Sequence, residues 1–352
     1  MLNRPGEFLV RAYLNKQEKE VYEIALVIGE EVRFFTIGYN SKYFFVRDYS
    51  FESVAALIAF HRRNKVPIDS AGSILRSGIP RDRWILKTDN VKRRRTIGTS
   101  INSRVYFATL SYGIFNKVQV AVRIYTGAMT PKDRATLQSE IEYLYYLDHP
   151  NIVKTYGACV YDSPVQVVTE MALGGTLLDA IQARPGPTEQ VRRNFVIGAC
   201  KGMAYLESKR LINHNILAKK ILLTETGEVK LSDFGLSLFR YDLSNGDSRK
   251  TAPLRYLPPE VLEKSRFVLG SDVWMFGTLI WEIFNDGNKP FSAITDTEKV
   301  VEAILNGRRL DNENNAVPAN LFPICNQCFR QKSSDRPSFE IILRMLVAEG
   351  GR

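Results

Sequence analysis

Leu211-Ile-Asn-His-Asn-Ile-Leu-Ala-Lys-Lys-Ile-Leu-Leu223 sets an apolar frame around a polar centre, and Asp233-Phe-Gly235 follows it. Asn215 stands eighteen residues before Asp233, and Lys220 thirteen before it. Upstream, strand-like alternation runs through residues 96–123. A helical pattern over residues 131–147 then puts Leu137, Ile141, Leu144 and Leu147 on one side. From about Leu177 the pattern is mainly helical to the end. Residues 1–70 alternate three short β-like runs (Glu7-Phe-Leu-Val-Arg11, Val21-Tyr-Glu-Ile-Ala-Leu-Val27, Val32-Arg-Phe-Phe-Thr-Ile37) with turns. An amphipathic stretch over residues 51–61 follows, with Val54, Leu57, Ile58 and His61 on one helical face. A polar connector over residues 80–95 separates the two parts. The spacing predicts an α+β chain with no internal repeat.

At 352 residues and 45% apolar, the chain is long enough for two cores. No run approaches the roughly 18 apolar residues of a membrane span, and the first residues carry no apolar stretch of signal-peptide length. A soluble, cytoplasmic protein is expected. Four cysteines do not make a disulfide framework and suit a reducing compartment. Cys325-Asn-Gln-Cys328 has CxxC spacing without a second pair or a His partner, so a helical, buried, non-ligand role is expected. The formal charge of +10 suits acidic partners such as phosphopeptides or anionic membrane at its periphery. The densest run, Lys92-Arg-Arg-Arg95, reads equally as a solvated linker or a binding segment. No RNA-binding signature or zinc-finger spacing accompanies it, so no nucleic-acid partner is expected.

Several segments carry a resemblance in the correct order. They are Val120-Ala-Val-Arg123, Glu140 on the following helix, Asp148-His-Pro-Asn-Ile-Val153, Val168-Thr-Glu-Met171, Asp233-Phe-Gly235, Pro253-Leu-Arg-Tyr-Leu-Pro-Pro-Glu260, Ser271-Asp-Val-Trp-Met-Phe-Gly277, Trp281-Glu282 and Asp335-Arg-Pro337. Together they resemble a protein tyrosine kinase, over residues 96–348. The resemblance implies a bilobal kinase fold, ATP and Mg as cofactors, and protein tyrosines as substrates. It makes Gly98, Val105, Ala121, Arg123, Glu140, Thr169, Glu170, Met171, Leu222 and Asp233 the candidate nucleotide site, with Asp233 the candidate Mg ligand. Glu260 with Arg336 is the expected buried ion pair, and Asp272 the expected cap of the loop at 211–223.

The loop departs from that pattern in its chemistry. Asn215 stands where the resemblance implies the catalytic Asp, and an amide has no comparable basicity. Lys220 stands where an Asn would bind a second Mg²⁺. Asn213 and His214 replace the usual His and Arg, while Lys219 keeps a cation where this loop has its Arg. Arg123 replaces a Lys; it is expected either to fork onto Glu140 or to keep a phosphate contact. The phosphate-covering turn, Ile97-Gly98-Thr-Ser100-Ile-Asn-Ser103, keeps one glycine of three. Asp233 is expected either to bind one Mg²⁺ or to serve as a structural loop. In the segment that follows, Tyr256 is expected to be packed and Tyr241 is a candidate phosphosite.

Gly6-Glu-Phe-Leu-Val-Arg11 and the segment 51–68 resemble a Src-homology 2 (SH2) domain, a central antiparallel sheet flanked by helices. The resemblance spans residues 1–78, with a linker at 79–95. It implies that Arg11 forks onto phosphotyrosine with charge-assisted hydrogen bonds, and the flanking Phe-Leu-Val predicts that Arg11 points inside. Phe34 and Tyr13 replace a His and a Ser of the usual pocket. The module's first strand and helix, with a second phosphate-binding Arg, would precede Met1 and are expected to be lacking. The junction Gly78-Ile-Pro-Arg-Asp-Arg-Trp84-Ile-Leu-Lys87 is similar to that of the Fps/Fes–Fer non-receptor tyrosine kinases. Two functions are carried forward: a pseudokinase that binds phosphotyrosine-containing proteins as a scaffold, and an active ATP-dependent tyrosine kinase using Asp233, Arg123 and Lys219.

Overall fold

The computed structural model describes residues 4–14, 20–79, 82–100, 103–112, 116–126, 130–160, 164–232 and 252–350. The fold is α+β and divides into two compact units, Met1–Arg83 and Trp84–Arg352. Among the described residues, no helix is long and apolar enough to cross a membrane.

The first unit is a six-stranded sheet. Its strands are β1 (Glu7–Leu14), β2 (Glu20–Ile28), β3 (Glu31–Tyr39), β4 (Phe44–Val46), β5 (Tyr49–Phe51) and β6 (Ser77–Gly78), in the order β5-β4-β3-β2-β1-β6. Neighbours are antiparallel except β1 and β6. The helix Val54–Arg63 starts where the Ser53 hydroxyl accepts the Ala56 N–H, satisfying one of the first-turn donors. Its predicted face is the buried one: Leu57 and His61 are fully enclosed, and Leu57 belongs to one core with Phe8, Ile24, Leu26, Ile37, Val46, Ile68 and Leu75. Strand alternation sends Phe8, Val10, Ile24 and Leu26 to this core. The same alternation puts Arg11 on the opposite face with its side chain 50% exposed, so the flanking apolar residues do not carry it inside.

The second unit opens on a five-stranded antiparallel sheet of β7 (Val91–Thr99), β8 (Ser103–Tyr112), β9 (Asn116–Tyr125), β10 (Thr155–Cys159) and β11 (Gln166–Glu170), in the order β10-β11-β9-β8-β7. The polar connector therefore ends earlier than its composition predicts. Lys92–Arg95 lie on β7, which pairs with β8 through a register shift between Arg93 and Arg95, and all four side chains stay exposed. An edge strand tolerates such charges, and they discourage pairing with another chain. The helix Pro131–Tyr145, closed at its start by a Thr130–Asp133 capping box, buries Leu137, Ile141 and Leu144 as its spacing predicts.

The helical part is built around Leu269–Phe284, which is enclosed on nearly every side. Glu189–Ser208 and Phe322–Cys328 pack against it, and Phe339–Gly350 packs on Glu189–Ser208. A short hairpin of β12 (Ile221–Leu223) and β13 (Val229–Leu231) packs on the helix Glu189–Ser208. Gly202 makes that approach possible, since a Cβ there would sit 2.8 Å from Leu231 Cδ1 and 2.9 Å from the Asn151 carbonyl. Cys325 and Cys328 lie buried in the helix Phe322–Cys328, as expected.

Candidate functional site

The sheet register gathers part of the predicted nucleotide site onto one face. β7 pairs Gly98 with Val105, β8 pairs Val105 with Arg123, and β9 pairs Ala121 with Thr169. Directly opposed residues, and those two apart, share a face. Gly98, Val105, Ala121, Arg123 and Thr169 therefore form one half-buried surface, while Val120, Val122 and Ile124 go to the core behind it. A Cβ at Gly98 would make only ordinary contact with Val105, at 3.7 Å, so the missing side chain leaves space above the sheet.

The two serines that stand for glycines close the turn on itself. Ser100 N–H donates to the Ser103 carbonyl (2.8 Å), and the two hydroxyls lie 2.8 Å apart. Arg123 Nη1 reaches the Ser103 hydroxyl at 3.4 Å. Glu140 is half-buried on the helix Pro131–Tyr145. At the end of β11, Glu170 accepts from Lys230 Nζ (3.0 Å) and from the Lys154 N–H (3.1 Å), which fixes its carboxylate against β13. Met171 follows half-buried, and Leu222 of β12 is half-buried opposite Lys230.

The loop between the helix Glu189–Ser208 and β12 is held by its main chain. Asp272 accepts the N–H groups of Asn213 (2.6 Å) and His214 (3.1 Å). Glu282, ten residues along the same apolar helix, accepts the Ala218 N–H (3.0 Å) and the Tyr256 hydroxyl (2.9 Å). His214 sits at φ +68, a left-handed conformation uncommon for a side-chain-bearing residue, and this turn helps aim both N–H groups at one carboxylate. Burial pushes the Asp272 carboxyl up to about 7 against the opposite pull of its two N–H donors. Burial likewise raises Glu282, with the Ala218 and Tyr256 bonds opposing.

Asn215 is 4% exposed, and its N–H donates to the Asn213 side-chain oxygen at 3.0 Å. Asn213 thus turns its amide onto its own loop. His214 is buried with its ring edge-on to Phe267, 4.5 Å between centroids, so it presents no surface charge to a phosphate. Lys219 is exposed, and Lys220 is half-buried, its carbonyl accepting the Ser232 hydroxyl (2.8 Å). Asp233, Phe234, Gly235 and Tyr241 lie outside the described residues. Tyr256 is packed against the core, as its position predicts.

The expected brace is present. Arg336 donates from Nη1 to Glu260 Oε1 (2.7 Å) and from Nη2 to Oε2 (2.9 Å), a two-pronged pair. The arginine side chain is fully enclosed and also serves the carbonyls of Gly270, Arg330 and Gln331. Sequence reasoning gave Glu282 no role, and it missed the partner of Arg11. In the first unit, Glu23 Oε2 takes both Arg11 Nε (2.8 Å) and Nη2 (2.6 Å). The available signal in each case was a lone acid inside an otherwise apolar segment.

A strand-rich lobe, a capped loop ahead of an Asp-Phe-Gly triplet and a Glu–Arg brace define a protein-kinase fold. The profile of the family described as protein tyrosine and serine/threonine kinase matches residues 91–346, and the chain belongs to that family. Its relatives are of the Fer and Fps type. It is 26% identical to Fer-related kinase 1 of Caenorhabditis elegans over 351 residues, 98% of this chain and 89% of that protein. Against the Fps transforming tyrosine-protein kinase of avian sarcoma virus (strain PRCII) it is 29% identical, across 99% of this chain and 64% of the relative. Against tyrosine-protein kinase Fer of Rattus norvegicus it is 30% identical, across 99% of this chain. The chain spans 42% of that rat relative's length.

Proposed function

We propose that this chain is a Fer/Fps-type pseudokinase, a kinase fold that works by binding and transfers little or no phosphate. The observation that carries the reading is the division of labour in the loop at 211–220. Its backbone is clamped by Asp272 and Glu282, yet its side chains put an amide at Asn215 and a cation at Lys220. Losing a general base costs roughly 10²–10⁴-fold in rate. A lysine at 220 repels the divalent ion that a carbonyl oxygen would hold. Loss of the two functions is not additive, since they belong to one unit.

The half-buried face of Gly98, Val105, Ala121 and Thr169, with Leu222, suits the flat apolar ring of an adenine. In this reading Arg123, Glu140, Glu170 and Met171 complete an ATP site. Lys219 meets the terminal phosphate without activating it. Asp233 is left as the single Mg ligand, and ATP supplies ordering of the cleft rather than turnover. Residues 1–78 act as an SH2 domain reading phosphotyrosine-containing proteins through Arg11, residues 79–95 as a linker and residues 96–348 as the kinase-like domain. The setting is cytoplasmic, with anionic membrane as a peripheral contact through the exposed cations of β7.

The alternative is an active, ATP-dependent tyrosine kinase acting on protein tyrosines. It is favoured by the names of the viral and rat relatives, both called tyrosine-protein kinases. Transfer of phosphate to a poly-Glu/Tyr substrate separates the two readings, with Asn215→Asp/Lys220→Asn as comparator. The pseudokinase reading expects transfer near background for the unaltered chain and a gain of about a hundredfold or more for the double variant. Robust Mg²⁺-ATP-dependent transfer by the unaltered chain overturns it.

A further inference from the structure

Strand register sets Arg11 of β1 directly opposite Glu23 of β2. The guanidinium gives two N–H groups to the same oxygen of that carboxylate, at 2.8 and 2.6 Å. The partners are unequally placed: the Glu23 side chain is 11% exposed, whereas half of the Arg11 side chain meets solvent. Phe34 of β3 lies on the same face, because Ala25, two residues from Glu23, is its directly opposed partner. Its ring centre stands 4.4 Å from the Arg11 guanidinium carbon, and the ring is 52% exposed. The guanidinium is therefore oriented by a carboxylate seated in the sheet and by an aromatic face.

A phosphate monoester recognised by arginine asks for the same guanidinium donors. An arriving dianion has two courses. It can displace Glu23 and leave an enclosed carboxylate without its counter-charge, or it can settle beside that carboxylate and meet like-charge repulsion. Both penalties fall on a phosphorylated ligand and neither on an uncharged one.

We propose that Glu23 is an internal competitor for phosphate at Arg11, a specificity-determining residue that sets the first unit against phosphotyrosine until the carboxylate is displaced or neutralised. The inference rests on the reader role assigned to Arg11 above.

The test measures binding of a fluorescent phosphotyrosine peptide pool, and of its unphosphorylated twin, to the full chain by polarisation. The unaltered chain is compared with Glu23→Ala, with the near-isosteric Glu23→Gln, and with Glu23→Ala/Arg11→Ala. Circular dichroism verifies the fold of each, and Glu23→Gln keeps the test open if the alanine variant fails to fold. The expected result is a gain of about tenfold or more in affinity for the phosphorylated pool with either Glu23 variant, abolished when Arg11 is also removed, and no change for the twin. If the unaltered chain binds the phosphorylated pool through Arg11 and the Glu23 variants bind no tighter, the competitor role is overturned while the reader role stands. If folded Glu23 variants and the unaltered chain all fail to prefer the phosphorylated pool, the reader role and the competitor role fall together.

Discussion

Replacing Glu260 by alanine leaves the Arg336 guanidinium enclosed with no carboxylate. The arginine side chain is 0% exposed and that of Glu260 only 21%, so solvent does little to screen the loss. Breaking a buried pair by removing one partner costs about 3–5 kcal/mol, mostly from the charge left behind. The carbonyls of Gly270, Arg330 and Gln331 and the Trp274 ring, 5.2 Å away, still hold the cation, which places the expectation near the lower end, about 3 kcal/mol. Because removal of the arginine also removes the stranded charge, Glu260→Ala/Arg336→Met loses less than the sum of the single changes. The assay is urea denaturation followed by tryptophan fluorescence. All three tryptophans, Trp84, Trp274 and Trp281, belong to the second unit, so the signal reports that unit alone. The midpoint should fall with an unchanged slope. A cost below about 1 kcal/mol for Glu260→Ala, or a strictly additive pair, refutes the reasoning.

Two further outcomes follow from the same physics. Asp272 keeps its proton in the fold up to about pH 7, whereas the unfolded chain releases it near pH 4. Across that window the unfolded state binds fewer protons, so stability falls as pH rises, by on the order of 4 kcal/mol from this group. Glu282 and Glu207, both raised by burial, act in the same direction. The tryptophan-monitored urea midpoint should drop from pH 5 to 7.5, less steeply in Asp272→Asn; a midpoint that climbs with pH contradicts the assignment. In the first unit, Leu57→Ala removes a fully buried side chain at a cost of about 2–5 kcal/mol. That loss should lower the urea midpoint followed by far-ultraviolet circular dichroism, and a cost below about 1 kcal/mol would contradict the enclosed placement of Leu57.

Legibility in the sequence followed the range of the interaction. The buried face of the helix Pro131–Tyr145 could be read from 3.6-residue spacing, because Leu137, Ile141 and Leu144 carry their own period. The Glu260–Arg336 brace, the Asp272 cap and the packed Tyr256 were legible through motif order, which fixes partners far apart in the chain. β7 was not, since its strand is made by pairing with β8 while Lys92–Arg95 have the composition of a linker. Glu23 was hidden for a related reason. It meets Arg11 only once the register of β1 on β2 is known, and a one-residue slip would have sent it to the other face. Glu282 was visible as a residue but not as a partner, because its acceptor role depends on where the Ala218 N–H and the Tyr256 hydroxyl arrive.

The clamp of Asp272 on two main-chain N–H groups bears on how this loop can drift through mutation. An N–H belongs to every residue but proline, so position 213 can change identity without loosening the anchor, and position 214 can do so among residues that accept its left-handed backbone. Activity and architecture are then inherited separately. Side chains at 215 and 220 can then change while the polypeptide folds as before, because neither supplies the N–H groups that Asp272 holds.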